Sequence, residues 1–168
     1  IRRLFYCKKW LFLVKNICGS NTFEEVKGYQ FSTANESDLD DIIALYPYEF
    51  SWFLPKKILK DRIKKRFELK TKCLICRADN GQLVGFAWYA PVNTERLPSL
   101  PEKYKSLKSY EVTNLYISPL HRGKALGKQL NNYSEHEMYK HGFKLSIANV
   151  LYRRQASIYL HLKLGYKV

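Results

Sequence analysis

The chain has 168 residues, of which 46% are apolar, 26% charged and 15% aromatic. This composition suffices for one domain with a buried core and excludes a disordered chain. The formal net charge of +14 favours encounters with anions such as a phosphorylated cofactor, nucleic acid, an anionic membrane or an acidic carrier protein, although a solvated basic surface explains it equally well.

The N-terminal apolar segment, residues 4–17, is too short to span a bilayer and is interrupted by lysines. Arg2 and Arg3 are compatible with a signal peptide, but no clear cleavage site follows. A basic segment lying on a membrane surface also fits. The end of the segment, residues 10–14, is rich in β-branched and aromatic side chains and predicts a strand.

The next elements are a short strand over 28–33 and a helix that Asn35 or Ser37 caps. A dense aromatic stretch over 46–54 follows; its side chains fit either an acceptor pocket or core packing. A second helix starts after Pro55 and is amphipathic and strongly basic.

The middle of the chain predicts a β-hairpin. Two apolar runs, 73–78 and 83–90, are joined across Asp79-Asn80-Gly81, a strong turn signal. A long polar connection, 91–109, comes next. Five further elements are predicted, in the order strand, loop with helix, strand, helix and the start of a strand: 110–118, 119–139, 144–150, 155–164 and 166–168.

Cysteines give a weak metal signal. Cys73 and Cys76 have the spacing of a zinc knuckle, but no second pair completes a tetrahedral site. Both lie in a predicted strand, where residues three apart point to opposite faces. We therefore predict no metal site, and reduced thiols suit a cytoplasmic protein.

The segment from 115 to 127 carries the clearest chemistry. An apolar strand leads through Pro119 into a basic, glycine-containing loop and then a helix. Free N–H groups and the dipole at a helix start hold phosphate oxygens, and glycine lets the backbone approach a ligand closely. The loop therefore indicates a phosphate cradle, although an ordinary strand-to-helix turn has similar residues. Its glycines and cations are Arg122, Gly123, Lys124, Gly127 and Lys128.

Two motifs in this part of the chain resemble those of the GNAT (N-acetyltransferase) superfamily. Pro119-x-x-Arg122-Gly-x-Ala-Leu-Gly127 resembles its acyl-CoA pyrophosphate loop, with Ala125 in place of the usual middle glycine. Residues 157–166 resemble the closing signature of the superfamily. Three residues before this stretch, Arg154 occupies a position where the signature has an asparagine. The resemblance covers about 28–168.

The resemblance implies an α/β fold: a mixed sheet with splayed central parallel strands flanked by helices, here with an extra N-terminal strand. It divides the chain into an N-terminal extension, 1–27, and an acyl-CoA N-acyltransferase domain, 28–168, whose C-terminal strands are incomplete. We expect the strand near 10–14, or a partner chain as in a homodimer, to cover the open sheet edge.

The resemblance also implies the cofactor and the residues that hold it. The cofactor is acetyl-CoA, whose pantetheine arm would lie between the splayed strands and pair with the backbone of Leu115 to Ile117, where a main-chain N–H polarises the thioester carbonyl. The implied cofactor-binding residues are Leu115, Tyr116, Ile117, Arg122, Gly123, Lys124, Ala125, Leu126, Gly127, Lys128 and Ser157.

Two residues are candidates for proton transfer. His161 occupies the signature position of a tyrosine that lies near the cofactor sulfur in many relatives, so it is the candidate general acid; packing within a helix is the alternative. Glu111, at the start of the strand before the loop, is the candidate base, with a solvent-facing role as the alternative. Tyr110, Asn114 and Tyr116 are polar alternatives expected to face away from Glu111.

We therefore predict a cytoplasmic N-acetyltransferase that acylates a primary amine of an unidentified small molecule or peptide. One alternative takes its donor from an acidic acyl carrier protein, which would bind the basic helix. A second is a non-catalytic acyl-CoA-binding module with peripheral membrane contact. No nucleic-acid partner is expected, because no recognition motif accompanies the charge.

Overall fold

The computed structural model describes residues 10–17, 23–46, 55–69, 71–97, 100–152 and 154–168. Six strands form one mixed sheet with helices on both faces, which confirms the predicted α/β class. The strands lie in the order β1-β6-β5-β4-β3-β2. Their bounds are β1 Trp10–Asn16, β2 Tyr29–Thr33, β3 Lys72–Ala78, β4 Leu83–Val92, β5 Ser109–Ile117 and β6 Leu145–Leu151.

The strand β1 covers the outer edge of β6. The two pair in antiparallel register along all seven residues of β1, so the prediction that the N-terminal strand covers this edge is confirmed. The other edge of β1 holds the last residues of the chain: Val14 and Lys167 exchange two main-chain hydrogen bonds of 2.8 Å. β1 thus extends the sheet next to β6, which pairs on its other side with β5 in parallel.

The predicted hairpin is β3 and β4, joined through the turn at 79–81 and paired from Lys72 opposite Tyr89. β2 adds to its far edge in antiparallel register. On one face of this half of the sheet pack α1 (Leu39–Leu45) and α2 (Lys56–Glu68). We call it the α2 face.

Local chemistry explains how α1 begins. The Asn35 side chain accepts from the Ser37 N–H at 2.8 Å, and Asp38 accepts from the Asn35 N–H at 2.9 Å. Such reciprocal capping satisfies donors that a helix start leaves free. Asn35 is therefore the cap, and one 3₁₀ turn, Glu36–Asp38, precedes α1. The aromatic stretch over 46–54, whose side chains fit either an acceptor pocket or core packing, lies beyond Tyr46 outside the described residues.

The connection predicted as a polar loop over 91–109 is partly wrong. β4 continues to Val92, and the short helix α3 (Glu102–Lys105) follows a 3₁₀ turn at Thr94–Arg96. The apolar side chains of the whole connection, including Leu100, pack against β6 residues on the α2 face. Prolines misled the prediction because Pro91 lies within β4, near its end, and Pro101 directly precedes α3.

The opposite face of the sheet, the α4 face, holds α4 (Leu126–Lys140) and α5 (Gln155–Lys163). Leu126, Leu130 and Met138 of α4 pack on β3, β4 and β5, and Ile158 of α5 packs on β1 and β6. Among the residues described, no helix has the length and apolar character needed to cross a membrane.

Candidate active site

Strands β5 and β6 run parallel for four residue pairs and then separate. Ser109 to Val112 pair with Leu145 to Ala148, although both strands continue, to Ile117 and Leu151. Over that length β5 stays paired with β4, and β6 with β1. Beyond the fourth pair, the facing edges of β5 and β6 therefore carry main-chain groups without a ladder partner. The predicted splay of the central parallel strands is confirmed.

A β-bulge at Asn114 changes which way the end of β5 points. Asn114 has a φ of 54°, and the pairing with β4 shifts beside it. The prediction that Asn114 and Tyr116 face away from Glu111 is wrong. The Asn114 side chain accepts a hydrogen bond from Arg66 of α2, and Tyr116 pairs with Phe86 and packs on the α2 face, because an inserted residue reverses the alternation beyond it. Tyr110 precedes the bulge and packs on the α4 face, as predicted.

The loop after β5 presents a row of free amides. A 3₁₀ turn, Pro119–His121, is followed by Gly123 with φ of 80° and Ala125 with φ of 58°, and α4 begins at Leu126. Within the described part of the chain, the N–H groups of residues 123–128 donate to no protein acceptor. Six consecutive free donors at a helix start form the kind of concavity that binds phosphate oxygens.

Basic side chains surround these amides. Lys124 is exposed and donates to the Tyr29 hydroxyl at 2.7 Å, and that hydroxyl lies 3.0 Å from His121 Nδ1. The Arg122 guanidinium donates from Nε to the Ile117 carbonyl at 3.1 Å. Sequence reasoning missed Tyr29, which looked like an ordinary strand residue. It ties the loop to β2, a strand distant in sequence.

Close packing places the start of α4 beside the opening where β5 and β6 separate. A Cβ on Gly127 would lie 3.6 Å from Leu160 of α5 and 3.8 Å from both Leu115 and Ile117 of β5. Leu126 is buried, so only its main chain faces outward, whereas Lys128 is exposed. The predicted cofactor-binding residues of β5 and α4 thus meet at one place, next to α5.

His161 is buried, with 3% of its surface exposed. Its Nδ1 lies 2.7 Å from the carbonyl oxygen of Ser157. Because a carbonyl only accepts, Nδ1 carries the hydrogen, and Nε2 of the neutral ring presents a lone pair. Nε2 is buried and has no hydrogen-bond partner in the described structure. Burial lowers the pKa of His161, and the bond to Ser157 partly opposes that shift.

Next to His161 lies a buried polar network that sequence reasoning missed. The His161 ring packs edge-on against Tyr166 with centroids 5.0 Å apart, and the Tyr166 hydroxyl lies 2.5 Å from Ser146 Oγ. Asn131 of α4 donates to Glu135 at 2.8 Å. Burial raises the pKa of Tyr166 well above its usual value. The only available signal was the spacing of Asn131 and Glu135, one helical turn apart.

On the α2 face, oxygen atoms gather where the strands separate. Glu111 is half-buried, and burial raises its carboxyl pKa. Thr113 follows it on the same face and uses its hydroxyl hydrogen for the Trp88 carbonyl, at 3.4 Å. Asn149 of β6 comes one residue after the last parallel pair, and its Oδ1 is buried with no hydrogen-bond partner among the described residues. Asn149 was missed, although an amide inside an apolar strand is a usable signal.

The thiols of Cys73 and Cys76 lie on opposite faces, as predicted from their spacing. Burial raises the pKa of Cys76 to about 12 and that of Cys73 further. Within the described ranges, no three histidine, cysteine or acidic side chains come together as a metal site. Both thiols are inert core residues.

Comparison with known proteins agrees with this geometry. A model of the acetyltransferase (GNAT) family matches residues 38–166. A search of curated proteins found no match.

Solved structures with low sequence identity share the fold. The aminoglycoside N-acetyltransferase AAC(6')-Iy in complex with CoA is 16% identical, covers 83% of this chain and 88% of its own, and gives a TM-score of 0.71. A predicted acetyltransferase from Clostridium acetobutylicum with acetyl-CoA is 13% identical over 83% of this chain and 90% of its own, with a TM-score of 0.65. A ribosomal-protein-alanine N-acetyltransferase from Brucella melitensis is 21% identical over 82% and 84%, with a TM-score of 0.60.

Proposed function

The chain belongs to the GNAT acetyltransferase family, and from that premise we propose that it transfers an acetyl group from acetyl-CoA to a primary amine. The observation that carries the proposal is the row of six free amides, 123–128, beside the opening between β5 and β6. A diphosphate needs several donors in one place, and the open strand edges offer main-chain partners to an extended pantetheine arm.

The residues present fit the cofactor. The amides of Gly123 to Lys128 hold the diphosphate, and Arg122, Lys124 and Lys128 supply positive charge around it. The main chain from Leu115 to Ile117 pairs with the pantetheine arm. Ala125 keeps the left-handed conformation that a glycine would adopt more easily, so its substitution leaves the loop's shape intact. The bound thioester supplies the activated acetyl group.

An amine acceptor suits the α2 face of the opening. A primary ammonium has three N–H donors and no acceptor. The Glu111 carboxylate, the Thr113 hydroxyl oxygen and Asn149 Oδ1 are all hydrogen-bond acceptors on that face. Glu111 takes a proton from the ammonium, because the nitrogen needs a lone pair to attack.

His161 lies on the other face, and its predicted role as an acid requires a proton at Nε2. The Ser157 carbonyl fixes the ring with that atom free. Because burial lowers the pKa of His161, the protonated fraction, and with it the acid contribution, falls as pH rises. Ser157 acts through its main-chain carbonyl, as a positioning residue for the ring.

Calorimetry with CoA and with pantetheine tests the donor site. Two lost hydrogen bonds between amides and a charged diphosphate are worth about 3 kcal/mol or more, or roughly 100-fold in affinity. We expect pantetheine to bind at least that much more weakly than CoA. Equal affinities, or no binding of either ligand, would remove the proposal's main support.

A thiol-release assay tests the reaction. Acetyl-CoA and acetylated acyl carrier protein are each offered as donor with four groups of amines: amino sugars, polyamines, amino acids and peptides. We expect turnover with acetyl-CoA and at least one amine. CoA binding without turnover on any amine would favour the non-catalytic module, and turnover restricted to the protein-bound donor would favour the carrier-dependent alternative.

A further inference from the structure

The helix α2 exposes an unusual concentration of positive charge. Its 13 residues, KKILKDRIKKRFE, include seven basic and two acidic side chains. Leu59 and Ile63 are buried against the sheet, and the charged side chains other than Arg66 are exposed. Among the residues that the structure describes, Lys60 is the one cation of α2 that makes an ion pair, to Asp40 at 2.7 Å. In the described parts of the chain, the other exposed cations have no carboxylate within 4.0 Å: Lys56, Lys57, Arg62, Lys64 and Lys65.

Two exposed apolar side chains flank this charge. Ile58 is 43% exposed and Leu69, just after the helix, 57% exposed. With Arg62 and Lys65 between them, the spacing of four, three and four residues forms one stripe along the helix. The stripe, 58-62-65-69, therefore has cations in its centre and an apolar contact at each end.

The helix α2 also contacts the side of the site assigned to the acceptor. Arg66 donates to the Asn114 side chain at 3.0 Å, and its guanidinium carbon lies 5.2 Å from the centre of the Trp88 ring. Asn114 is the bulge residue of β5, and Trp88 pairs with Thr113. A molecule bound along α2 would lie next to the acceptor face of the opening.

We propose that the exposed face of α2 binds an acidic peptide segment of the acceptor, so that the preferred substrate is a polypeptide amine with aspartate, glutamate and apolar residues nearby. This inference rests on the proposed amine acetylation. Unpaired cations match carboxylates, and the stripe's ends match apolar side chains, which nucleic acid lacks. A bilayer fits less well, because the apolar side of α2 is already buried in the core.

Three peptides with the same single free amine test the inference. Their flanking residues alternate leucine with aspartate, asparagine or lysine. We expect kcat/KM for the aspartate peptide to exceed that for the asparagine peptide about tenfold at low salt, and the ratio to shrink toward one at 0.5 M salt, where the Debye length is only about 4 Å. Equal use of the aspartate and asparagine peptides would overturn the inference.

The variant Arg62→Gln/Lys65→Gln should lose this preference and keep its activity on the asparagine peptide. The matched control, Lys144→Gln/Lys163→Gln, removes the same charge from exposed positions on other elements and should keep the preference. Equal losses in the two variants would show that net charge alone attracts the peptide, which contradicts a site on α2.

Direct binding separates this inference from the proposed reaction. Fluorescence anisotropy with the labelled aspartate peptide reports binding whether or not acetyl transfer occurs. Binding that Arg62→Gln/Lys65→Gln abolishes supports the α2 site even if every amine fails as an acceptor. Tighter binding of an RNA oligonucleotide, or of vesicles containing 30% phosphatidylserine, would replace the peptide with another partner and overturn the inference.

Discussion

Lys15 and Glu135 form an ion pair that joins β1 to α4. Lys15 Nζ lies 2.7 Å from one carboxylate oxygen and 3.0 Å from the other. The side chains are 14% and 1% exposed. Lys15 also lies 5.8 Å above the centre of the Tyr166 ring. The strand that precedes the family's matched segment thus supplies a charge to the polar network beside His161.

Replacing Lys15 by methionine should destabilise the protein by about 3–5 kcal/mol, because it breaks an ion pair whose carboxylate is buried. Urea unfolding measures this loss. The matched control is Lys60→Met, which breaks an ion pair whose side chains are 51% and 80% exposed and should cost less than about 1 kcal/mol. Equal effects in the two variants would contradict a buried role for Lys15.

Ala125→Gly should stabilise the loop. A left-handed conformation costs a non-glycine residue about 1–2 kcal/mol, which glycine would avoid. The greater conformational freedom of glycine in the unfolded chain opposes this stabilisation by about 0.4–1 kcal/mol. The net gain of about 0.5–1 kcal/mol corresponds to a rise of roughly 1–4 °C in Tm. A drop in Tm would mean that Ala125 is unstrained.

Glu111→Gln should remove the acid limb of the pH–rate profile and lower kcat/KM by about 10²–10⁴-fold. Burial raises the pKa of Glu111, so activity should rise with pH as the carboxyl ionises, with a midpoint above 4.5. Thr113→Val serves as the control, because it removes a neighbouring oxygen without a titrating group and should keep the limb. An unchanged limb in Glu111→Gln would assign the base elsewhere.

Stability gives a second measure of Glu111. With its folded-state pKa raised, the protonated form is favoured on folding, and stability is lost as pH rises from about 4.5 through the folded-state pKa. Glu111→Gln should therefore be more stable than the parent at pH 7 by urea unfolding. Lower stability at that pH would mean that the carboxylate is needed structurally.

His161→Phe should lower kcat and leave CoA affinity unchanged. It should also alter stability in acid. Because the folded-state pKa of His161 lies below 6.5, the unfolded chain binds the proton more readily, and stability falls as pH drops below about 6.5. The variant should lose less stability than the parent between pH 7.5 and 5.5. Unchanged kcat would remove His161 from the mechanism.

Local chemistry explains which parts of the fold were predictable. The hairpin followed from Asp79-Asn80-Gly81, and the start of α1 from Asn35, because turn and cap preferences act within a few residues. The pairing of β1 with β6 joins residues 129 to 141 positions apart, from Asn16–Leu145 to Trp10–Leu151. The residue pattern at 10–14 indicated a strand, but not which strand it pairs with. Only the expected open edge of the sheet suggested where it would pair.

The candidate site also contains parts that could be predicted from the sequence and parts that could not. The loop at 119–127 was recognisable because its glycines and cations adjoin one another. The face on which Tyr116 lies could not be predicted, because Asn114 leaves the regular strand conformation and reverses the alternation of side chains after it. Lys15 and Glu135 were overlooked because charged residues normally face solvent, and only the tertiary structure shows that they meet.

The sheet thus extends beyond the segment that the family model matches, because β1 and β2 both precede residue 38. A fragment starting at residue 38 would lose both β1 and β2, and with β2 the Tyr29 hydroxyl that bonds Lys124 of the loop. β6 would become an unpaired sheet edge, the core residues that pack on Leu13 would be exposed to water, and the buried Glu135 carboxylate would lose its ion pair with Lys15. Truncated versions intended for crystallisation or screening should therefore retain residues 10–17.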